Sequence, residues 1–304
     1  MLVSDCSRDD LTRYLKTTGV GIEIGGYWFQ ITSSIDDVSD HIIDLYSEAP
    51  CQLRRTFIDF PIEVRPVSGL RRWFKPLAEF VFNASVPFTP LPIGQSPALL
   101  EWGINWCISA HVQTHLVLHS AVVEKGGKAL ILPAPSGSGK STLCTALVAR
   151  GWRLLSDELT LLDVSTGLVR PFTKPISLKN ESIEVIESFW PGAVRSKLCT
   201  DTLKGCVTHF RPPVESMRES HTCAQPAMVI FPRYDAGSHV LIEPVDKGAA
   251  FIDLVNNAFN YHVLGEQGFH TLHRLLKNSD VYDVQYSSLD AVIVEIERCL
   301  FDPS

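Results

Sequence analysis

Residues 129–142 read ALILPAPSGSGKST, an apolar run followed by a glycine-containing loop and the start of a helix pattern. A loop between a strand and a helix points successive backbone N–H groups inward and places phosphate oxygens at the helix N-terminus. Lys140 can reach the β- and γ-phosphates of a nucleotide, and the hydroxyl of Ser141 can ligate Mg²⁺. The spacing therefore predicts a phosphate-binding loop, although Ala134 stands where the Walker A pattern has its first glycine.

The residues that we expect to hold the phosphates are those of the loop and of the first helical turn. They are Ser136, Gly137, Ser138, Gly139, Lys140, Ser141 and Thr142. The alternative is a flexible linker rich in serine and glycine. A linker would explain neither the apolar run before the loop nor the lysine within it.

A pair of acidic residues follows in the segment 151–162, which reads GWRLLSDELTLL. The pattern predicts two short strands joined at Asp157 and Glu158. A carboxylate at a strand end beside a phosphate loop can hold Mg²⁺ or accept the proton of an attacking hydroxyl. The alternative is that both residues are ordinary turn acids between two strands.

A histidine lies in the strand pattern upstream of the loop, in the segment 116–123, which reads LVLHSAVV. Gly126 and Gly127 predict a turn that pairs this strand with the one leading into the loop. The pairing would bring His119 close to the phosphate-binding end of the sheet. A lone histidine in a strand is often purely structural, so that alternative stays open for the residue taken alone.

Together these segments resemble the HPr kinase/phosphorylase family. Its members share a strand with a Leu-His pair, a hairpin, a phosphate loop, a helix and a segment that ends in Asp-Asp. The matching residues here are Leu118, His119, Ser136, Gly137, Ser138, Gly139, Lys140, Ser141, Gly151, Arg153, Leu154 and Asp157, and Glu158 replaces the second aspartate. The resemblance implies that Asp157 is the catalytic carboxylate, that His119 and Lys140 assist it, and that ATP and Mg²⁺ are the cofactors.

A second resemblance covers nearly the whole chain and is to the HPr-kinase-related proteins called HprK-related kinase A. The matching stretches are LEWGINWCIS at 100–109, PISLKN at 175–180, FPRY at 231–234 and NAFNY at 257–261. Relatives of this kind accompany peptide-modification gene sets, and some phosphorylate a serine on a small peptide. Membership implies kinase chemistry more firmly than it implies HPr as the substrate.

A signature segment of the HPr kinase family, Glu-Ile-Arg-Gly, is altered in this chain. Its counterpart is Thr202-Leu203-Lys204-Gly205, in which Lys204 keeps a positive charge and Thr202 loses the carboxylate. The family associates this segment with the reverse, phosphorolytic reaction. The substitutions therefore predict a kinase that works in one direction.

Other basic residues are candidates for the substrate side of the site. Lys179 could bind a phosphate oxygen, and His209 with Arg211 could belong to a mobile loop that closes over the reacting groups. Arg233 could neutralise the charge of the transferring phosphate, as an arginine finger does. Each has a surface role as its alternative, and the same alternative holds for Lys174 beside the PISLKN stretch.

Composition narrows the classes of protein that fit. The chain has 304 residues, 45% of them apolar, and a formal net charge of −7. Without clustered lysine and arginine, binding to nucleic acid is disfavoured. No apolar run approaches the roughly 18–20 residues of a membrane span, and the N-terminus does not read as a signal peptide. The eight cysteines are scattered and read as reduced thiols, so we expect a cytoplasmic protein.

The chain is predicted to divide near residue 95. Residues 1–94 would form a β-rich accessory module with a hairpin at Gly25-Gly26, and a proline-punctuated linker would precede residue 95. Residues 95–304 would form an α/β P-loop kinase domain of HPr-kinase/PEP-carboxykinase-like topology. Helices are expected at 38–46, 98–112, 251–264 and 288–300.

The expected function is transfer of the γ-phosphoryl group of ATP to a hydroxyl, most simply a serine of a peptide or protein. One alternative is a kinase that acts on the hydroxyl of a metabolite or sugar. Another is a nucleotide-dependent regulator with little transferase activity. HPr kinases assemble as hexamers, and whether this chain forms a homo-oligomer is left open because its flanking regions differ.

Overall fold

The computed structural model describes residues 1–54, 57–69, 74–135 and 137–302. Within that part the chain is a mixed α/β protein with three β-sheets. It divides into two compact units, each assembled from segments that are distant in sequence. Unit 1 comprises residues 1–108, 174–183 and 192–220, and unit 2 comprises residues 109–173, 184–191 and 221–304. The boundary expected near residue 95 stays a prediction.

The strands within the described residues are numbered here in sequence order. They are β1 (Val20–Ile24), β2 (Tyr27–Ser33), β3 (Cys51–Gln52), β4 (Phe60–Pro66), β5 (Leu77–Phe82), β6 (Leu91–Pro92), β7 (His115–Lys125), β8 (Lys128–Pro133), β9 (Arg153–Ser156), β10 (Leu159–Asp163), β11 (Val169–Arg170), β12 (Ile176–Lys179), β13 (Cys199–Thr202), β14 (Gly205–Phe210), β15 (Gln225–Tyr234), β16 (Leu241–Pro244) and β17 (Asp280–Tyr286).

The α-helices are interspersed with these strands. They are α1 (Arg8–Lys16), α2 (Asp36–Leu45), α3 (Ser96–His111), α4 (Lys140–Ala149), α5 (Glu181–Phe189), α6 (Val214–Arg218), α7 (Lys247–Asn256), α8 (Tyr261–Leu264), α9 (Glu266–Lys277) and α10 (Leu289–Phe301). None of the described helices is both long and apolar enough to cross a membrane.

Unit 1 contains a sheet with the order β3-β1-β2-β4-β5-β6 and a smaller sheet with the order β12-β14-β13. The hairpin between β1 and β2 is confirmed, and both of its turn glycines have the left-handed φ that such a turn requires, 60° for Gly25 and 81° for Gly26. Alternation of buried and exposed residues along β4 places Phe60, Ile62 and Val64 on the core face.

A buried polar network lies in the core of unit 1. The carboxylate of Glu101 accepts hydrogen bonds from Tyr46 Oη and from His41 Nε2, each at 2.8 Å, and forms an ion pair with Lys174 Nζ at 3.3 Å. The ring of His209 meets the ring of His41 edge-on at 5.2 Å. Lys174 is fully buried, so the surface role considered for it is wrong.

Unit 2 is built on a sheet with the order β11-β10-β7-β8-β15-β17-β16, in which β9 also pairs with β7. The three strands β8, β15 and β17 run parallel, whereas β7 runs antiparallel to β8. Helix α4 packs against β7, β8 and β9. Apolar residues of α7 and α9, such as Leu254 and Leu272, pack against β7 residues such as Leu118 in the main core cluster.

The single helix expected over 251–264 is interrupted in the structure. Residues 257–260 lie alongside β7 instead, because the N–H of His119 donates to Asn257 O at 2.7 Å and the N–H of Phe259 donates to Val117 O at 2.9 Å. The helices expected at 38–46, 98–112 and 288–300 correspond to α2, α3 and α10 within two residues at either end.

Candidate functional site

The loop between β8 and α4 has the backbone that its glycines permit. Strand β8 ends at Pro133, and Gly137 and Gly139 adopt left-handed φ angles of 90° and 89°. Ala134 is buried and is not among the described residues with positive φ, so the backbone accommodates alanine there. Ser136 lies outside the described residues.

Helix α4 starts at Lys140 and is entered through Gly139, which has no side chain to cap it. The amide of Leu143 donates to Gly139 O at 2.9 Å, whereas the amides before it have no intrahelical acceptor. Such a helix start favours negative charge. The hydroxyl of Ser138 is buried and has no hydrogen-bond partner within the described part of the chain.

Two tyrosines at the ends of neighbouring strands hold the loop. Tyr286 Oη donates to Gly139 O at 3.3 Å, and the N–H of Tyr234 donates to Ser138 O at 3.0 Å. A Cβ at position 139 would lie 2.7 Å from Tyr286 Oη and 3.1 Å from Tyr234 Cβ. Glycine is therefore required at position 139 by close approach as well as by φ.

The acidic pair forms a two-residue bend, here called the acidic turn, between β9 and β10, which both pair antiparallel with β7. Ser156 Oγ accepts the N–H of Leu159 at 3.0 Å, which fixes the turn. Asp157 is fully buried, whereas Glu158 is only partly buried. The predicted position at a strand end is therefore what the structure shows for both carboxylates.

Strand register brings the acidic turn and the start of the loop to the same level along β7. On one side of β7, His119 pairs with Leu159 of β10. On its other side, Ser120 pairs with Pro133, the last residue of β8. Because neighbouring strands lie about 4.8 Å apart, the turn and the start of the loop flank β7 at about 10 Å from each other.

The pKa of the Cys144 thiol on α4 is influenced both by Lys140 and by Asp157 of the acidic turn. Burial is the main cause that raises the pKa of this thiol, the carboxylate of Asp157 raises it further, and the ammonium of Lys140 opposes the rise. Both charged groups therefore act on one buried atom of α4. Lys140 itself is only 7% exposed.

His119 is positioned by a segment that the sequence did not mark as part of the site. Its N–H is held by Asn257, and its ring lies 5.9 Å from the ring of Phe259. Asn260 fixes this segment, because its Oδ1 accepts the N–H of Val117 at 3.0 Å and its Nδ2 donates to His115 O at 2.8 Å. The segment lies alongside β7 next to the point at which β8 ends and the loop begins.

The oxygen donors expected to hold a metal are Ser141, Asp157 and Glu158. Within the described ranges there is no group of three or more His, Cys, Asp and Glu side chains arranged for a metal ion. Mg²⁺ bound to a nucleotide needs fewer protein ligands, since phosphate oxygens and water complete its shell. One hydroxyl and one or two carboxylates fit that requirement.

The residues expected on the substrate side are divided between the units. Arg233 is exposed on β15 in unit 2, where it donates to Gln285 Oε1. The others, Lys179, Lys204, His209 and Arg211, belong to unit 1.

The expectation that His209 belongs to a mobile loop is wrong. Residues 205–210 form β14, which pairs with β12, and His209 is fully buried beside the network of Glu101. A fully buried imidazole offers no surface to a substrate. Arg211 Nη1 reaches Asp44 O at 3.5 Å, at the limit of a hydrogen bond.

The altered signature segment forms the tight turn between β13 and β14. Thr202 Oγ1 donates to Gly205 O at 2.6 Å and accepts the N–H of Lys204 at 3.1 Å. Lys204 Nζ lies 5.4 Å from the centre of the Trp102 ring. The hydroxyl of Thr202 thus closes this turn.

No family model and no curated protein matches this chain. Among solved structures it is similar to the HPr(Ser) kinase/phosphatase from Coxiella burnetii, with 12% sequence identity over 60% of this chain and 96% of that chain. The TM-score of the match is 0.27, and a likeness of that size carries no argument about fold or activity.

Proposed function

We propose that this chain is a kinase that binds ATP with Mg²⁺ at residues 136–142 and transfers the γ-phosphoryl group to a hydroxyl. The observation that carries the proposal is the position of two elements at the same level on either side of β7. One is a loop with left-handed Gly137 and Gly139 that opens α4 at Lys140. The other is the β9–β10 turn with Asp157, next to His119.

The loop serves to bind and neutralise the phosphates. Backbone amides at the start of α4 and the ammonium of Lys140 face the β- and γ-phosphate oxygens, and the hydroxyl of Ser138 gains a partner there. Ser141, with Asp157 or Glu158, supplies oxygen ligands to Mg²⁺, which when bound neutralises charge on the β- and γ-phosphates. Positioning and charge neutralisation supply most of the rate in phosphoryl transfer.

Asp157 acts as the base in this proposal. The acceptor oxygen forms a bond to the γ-phosphorus, the bond from that phosphorus to the β–γ bridging oxygen breaks, and ADP leaves. The proton of the acceptor hydroxyl passes to the carboxylate of Asp157. His119, on the strand beside the turn, orients the carboxylate and the acceptor.

The acceptor that we propose is a serine of a peptide or protein, and the reaction runs in one direction. The second point rests on the sequence Thr202-Leu203-Lys204-Gly205, because the segment that it resembles in the HPr kinase family is associated with the reverse reaction and has a carboxylate and a guanidinium where threonine and lysine stand here. We further propose that residues 95–304 carry the P-loop kinase domain, that residues 1–94 form an accessory module, and that the protein acts in the cytoplasm.

The test is transfer of label from γ-labelled ATP to components of a lysate from the native source. We expect one peptide or protein to become labelled by the parent chain and not by Asp157→Asn. A labelled metabolite instead would replace the peptide acceptor with a small-molecule one. Absence of any labelled product, with ATP bound, would contradict the kinase and favour a nucleotide-dependent regulator.

A further inference from the structure

We propose that Tyr234 forms the nucleoside subsite of the loop, as an aromatic platform on which the base of the bound nucleotide stacks. The inference rests on the proposed function, because it takes the phosphates to lie on the loop between β8 and α4. The phosphate contacts alone would bind any polyphosphate, and this subsite explains how the chain also binds the nucleoside.

The first observation is that Tyr234 is fixed beside the loop while its ring stays exposed. Its N–H donates to Ser138 O at 3.0 Å, and its Cβ closely approaches Gly139. The residue is nevertheless 55% exposed, at the end of a strand whose earlier residues Met228, Val229 and Ile230 are buried. A large aromatic side chain is thus presented to solvent at a position set by the loop backbone.

The second observation is that Tyr286 supports this ring from the edge. The two ring centroids lie 6.0 Å apart with planes inclined at 74°, an edge-to-face arrangement. Tyr286 is buried, and burial raises the pKa of its phenol, so it stays neutral while it donates to Gly139 O. An edge contact steadies the Tyr234 ring without the parallel overlap of a stacked partner.

The third observation is the direction in which a nucleotide would lie. The acidic turn flanks β7, and the strands from there run β7, β8, β15, so Tyr234 and Asp157 are on opposite sides of the loop strand. Three strand spacings of about 4.8 Å separate them across the sheet, about 14 Å in that direction. With the γ-phosphate directed to Asp157, the nucleoside end extends toward Tyr234.

The neighbouring polar side chains do not compete for the same face. Along a strand, successive side chains point to opposite faces, so Arg233 projects away from the side of Tyr234. It pairs in register with Gln285 of β17, whose Nε2 in turn donates to Asp235 Oδ2 at 2.7 Å. Stacking on an aromatic ring tolerates any base, so Tyr234 provides affinity for a nucleoside rather than selection of adenine.

The experiment compares Mg²⁺–ATP with inorganic tripolyphosphate by titration calorimetry. Tyr234→Ala should weaken ATP binding by about tenfold, within the range that stacking of one base contributes, and leave tripolyphosphate binding unchanged. Tyr234→Phe should bind ATP like the parent because the ring is kept. Leu241→Ala, an exposed apolar truncation on the neighbouring β16, is the matched control and should change neither affinity.

The outcomes separate this inference from the proposed function. A parent chain that binds neither ATP nor tripolyphosphate contradicts the phosphate loop, and the subsite falls with it. A parent that binds both ligands, with ATP affinity unchanged in Tyr234→Ala, overturns the subsite alone. Equal weakening of both ligands in a folded Tyr234→Ala would also overturn it, because Tyr234 would then only shape the loop.

Discussion

Each of the two units contains a buried lysine near a carboxylate, but the backbone around the lysine differs between the two. In unit 1, the side chains of Lys174 and Glu101 are 0% and 1% exposed. The carboxylate also accepts hydrogen bonds from Tyr46 and His41. In unit 2, Lys140 is 7% exposed and stands at the first position of α4, directly after the left-handed Gly139.

The difference is the basis for proposing a binding role for Lys140 and a structural role for Lys174. The partners of Glu101 on α3 are His41 of α2, Tyr46 directly after α2 and Lys174 before β12, so the network holds elements of unit 1 together. At Lys140 the adjoining backbone presents helix-start amides, which attract an anion from outside the fold. Burial of a lysine alone would have assigned the same role to both.

Breaking the network of unit 1 should give the largest effect on stability. Glu101→Ala leaves Lys174 and His41 buried without their carboxylate, so we expect the free energy of unfolding to fall by about 3–5 kcal/mol. Lys140→Met should lower it less, because methionine fills the volume of the buried lysine stem, whereas Glu101→Ala removes a carboxylate that three buried side chains share. Denaturant titration measures both, and equal losses would make Lys140 a structural residue like Lys174.

The same network should make the fold sensitive to acid. Burial, the largest influence, pushes the pKa of Glu101 up, but Lys174, His41 and His209 outweigh it and lower the pKa from 4.5 to about 2. Since the folded pKa lies below the ordinary one, the ionised carboxylate stabilises the fold above about pH 4.5. That contribution is lost as the pH falls toward 2.

Denaturant titrations between about pH 3 and pH 6 test this dependence. Stability of the parent should fall with decreasing pH more steeply than that of Glu101→Gln, which has no carboxyl to titrate at this position. Parallel profiles for the two proteins would mean that Glu101 does not carry the acid sensitivity.

In unit 2, the acidic turn should matter for transfer more than for binding. Asp157→Asn keeps the size of the side chain and removes its basic carboxylate, so phosphoryl transfer should fall by about a hundredfold or more. Mg²⁺–ATP affinity should change much less. Glu158→Gln is the matched comparison and should lower transfer less, since Glu158 is proposed only as a metal ligand and not as the base.

Rates with the identified acceptor and calorimetric ATP affinities decide between the two roles. Transfer at the parent rate in Asp157→Asn would make Asp157 a turn acid. Collapse of ATP affinity together with the rate would make it chiefly a metal ligand.

The smallest expected signal is the reverse reaction. Lysine lacks the planar fork that grips phosphate through two parallel hydrogen bonds, and threonine cannot replace the lost carboxylate. Phosphorylated acceptor, freed of ATP and given Mg²⁺ with millimolar phosphate, should therefore release no pyrophosphate above background. Rapid pyrophosphate release would contradict the role given to Thr202 and Lys204.

Local patterns in the sequence predicted much of the secondary structure around the candidate site. The strand before the loop, the helix after it and the glycine turns are each set by a few consecutive residues. The register of β7 then follows from the turn at Gly126-Gly127, which is why His119 could be placed near the loop from sequence alone.

Contacts between distant parts of the chain could not be foretold. Tyr234 and Tyr286 reach the loop from strands that are about 100 or more residues further along the chain, and no local signal connects them to Gly139. Residues 257–260 fit a helical pattern, yet pairing with β7 overrides it. No residue next to Lys174 or His209 in the sequence marks them as buried, and only the fold reveals their burial.

The most direct test of the central claim is the affinity of Lys140→Ala for ATP, measured by calorimetry on protein whose fold is verified by circular dichroism. The parent should bind Mg²⁺–ATP. The variant should bind it at least about tenfold more weakly, since losing hydrogen bonds to charged groups costs about 1.5–3 kcal/mol. Unchanged affinity in a folded Lys140→Ala would contradict the assignment of the loop as the phosphate site.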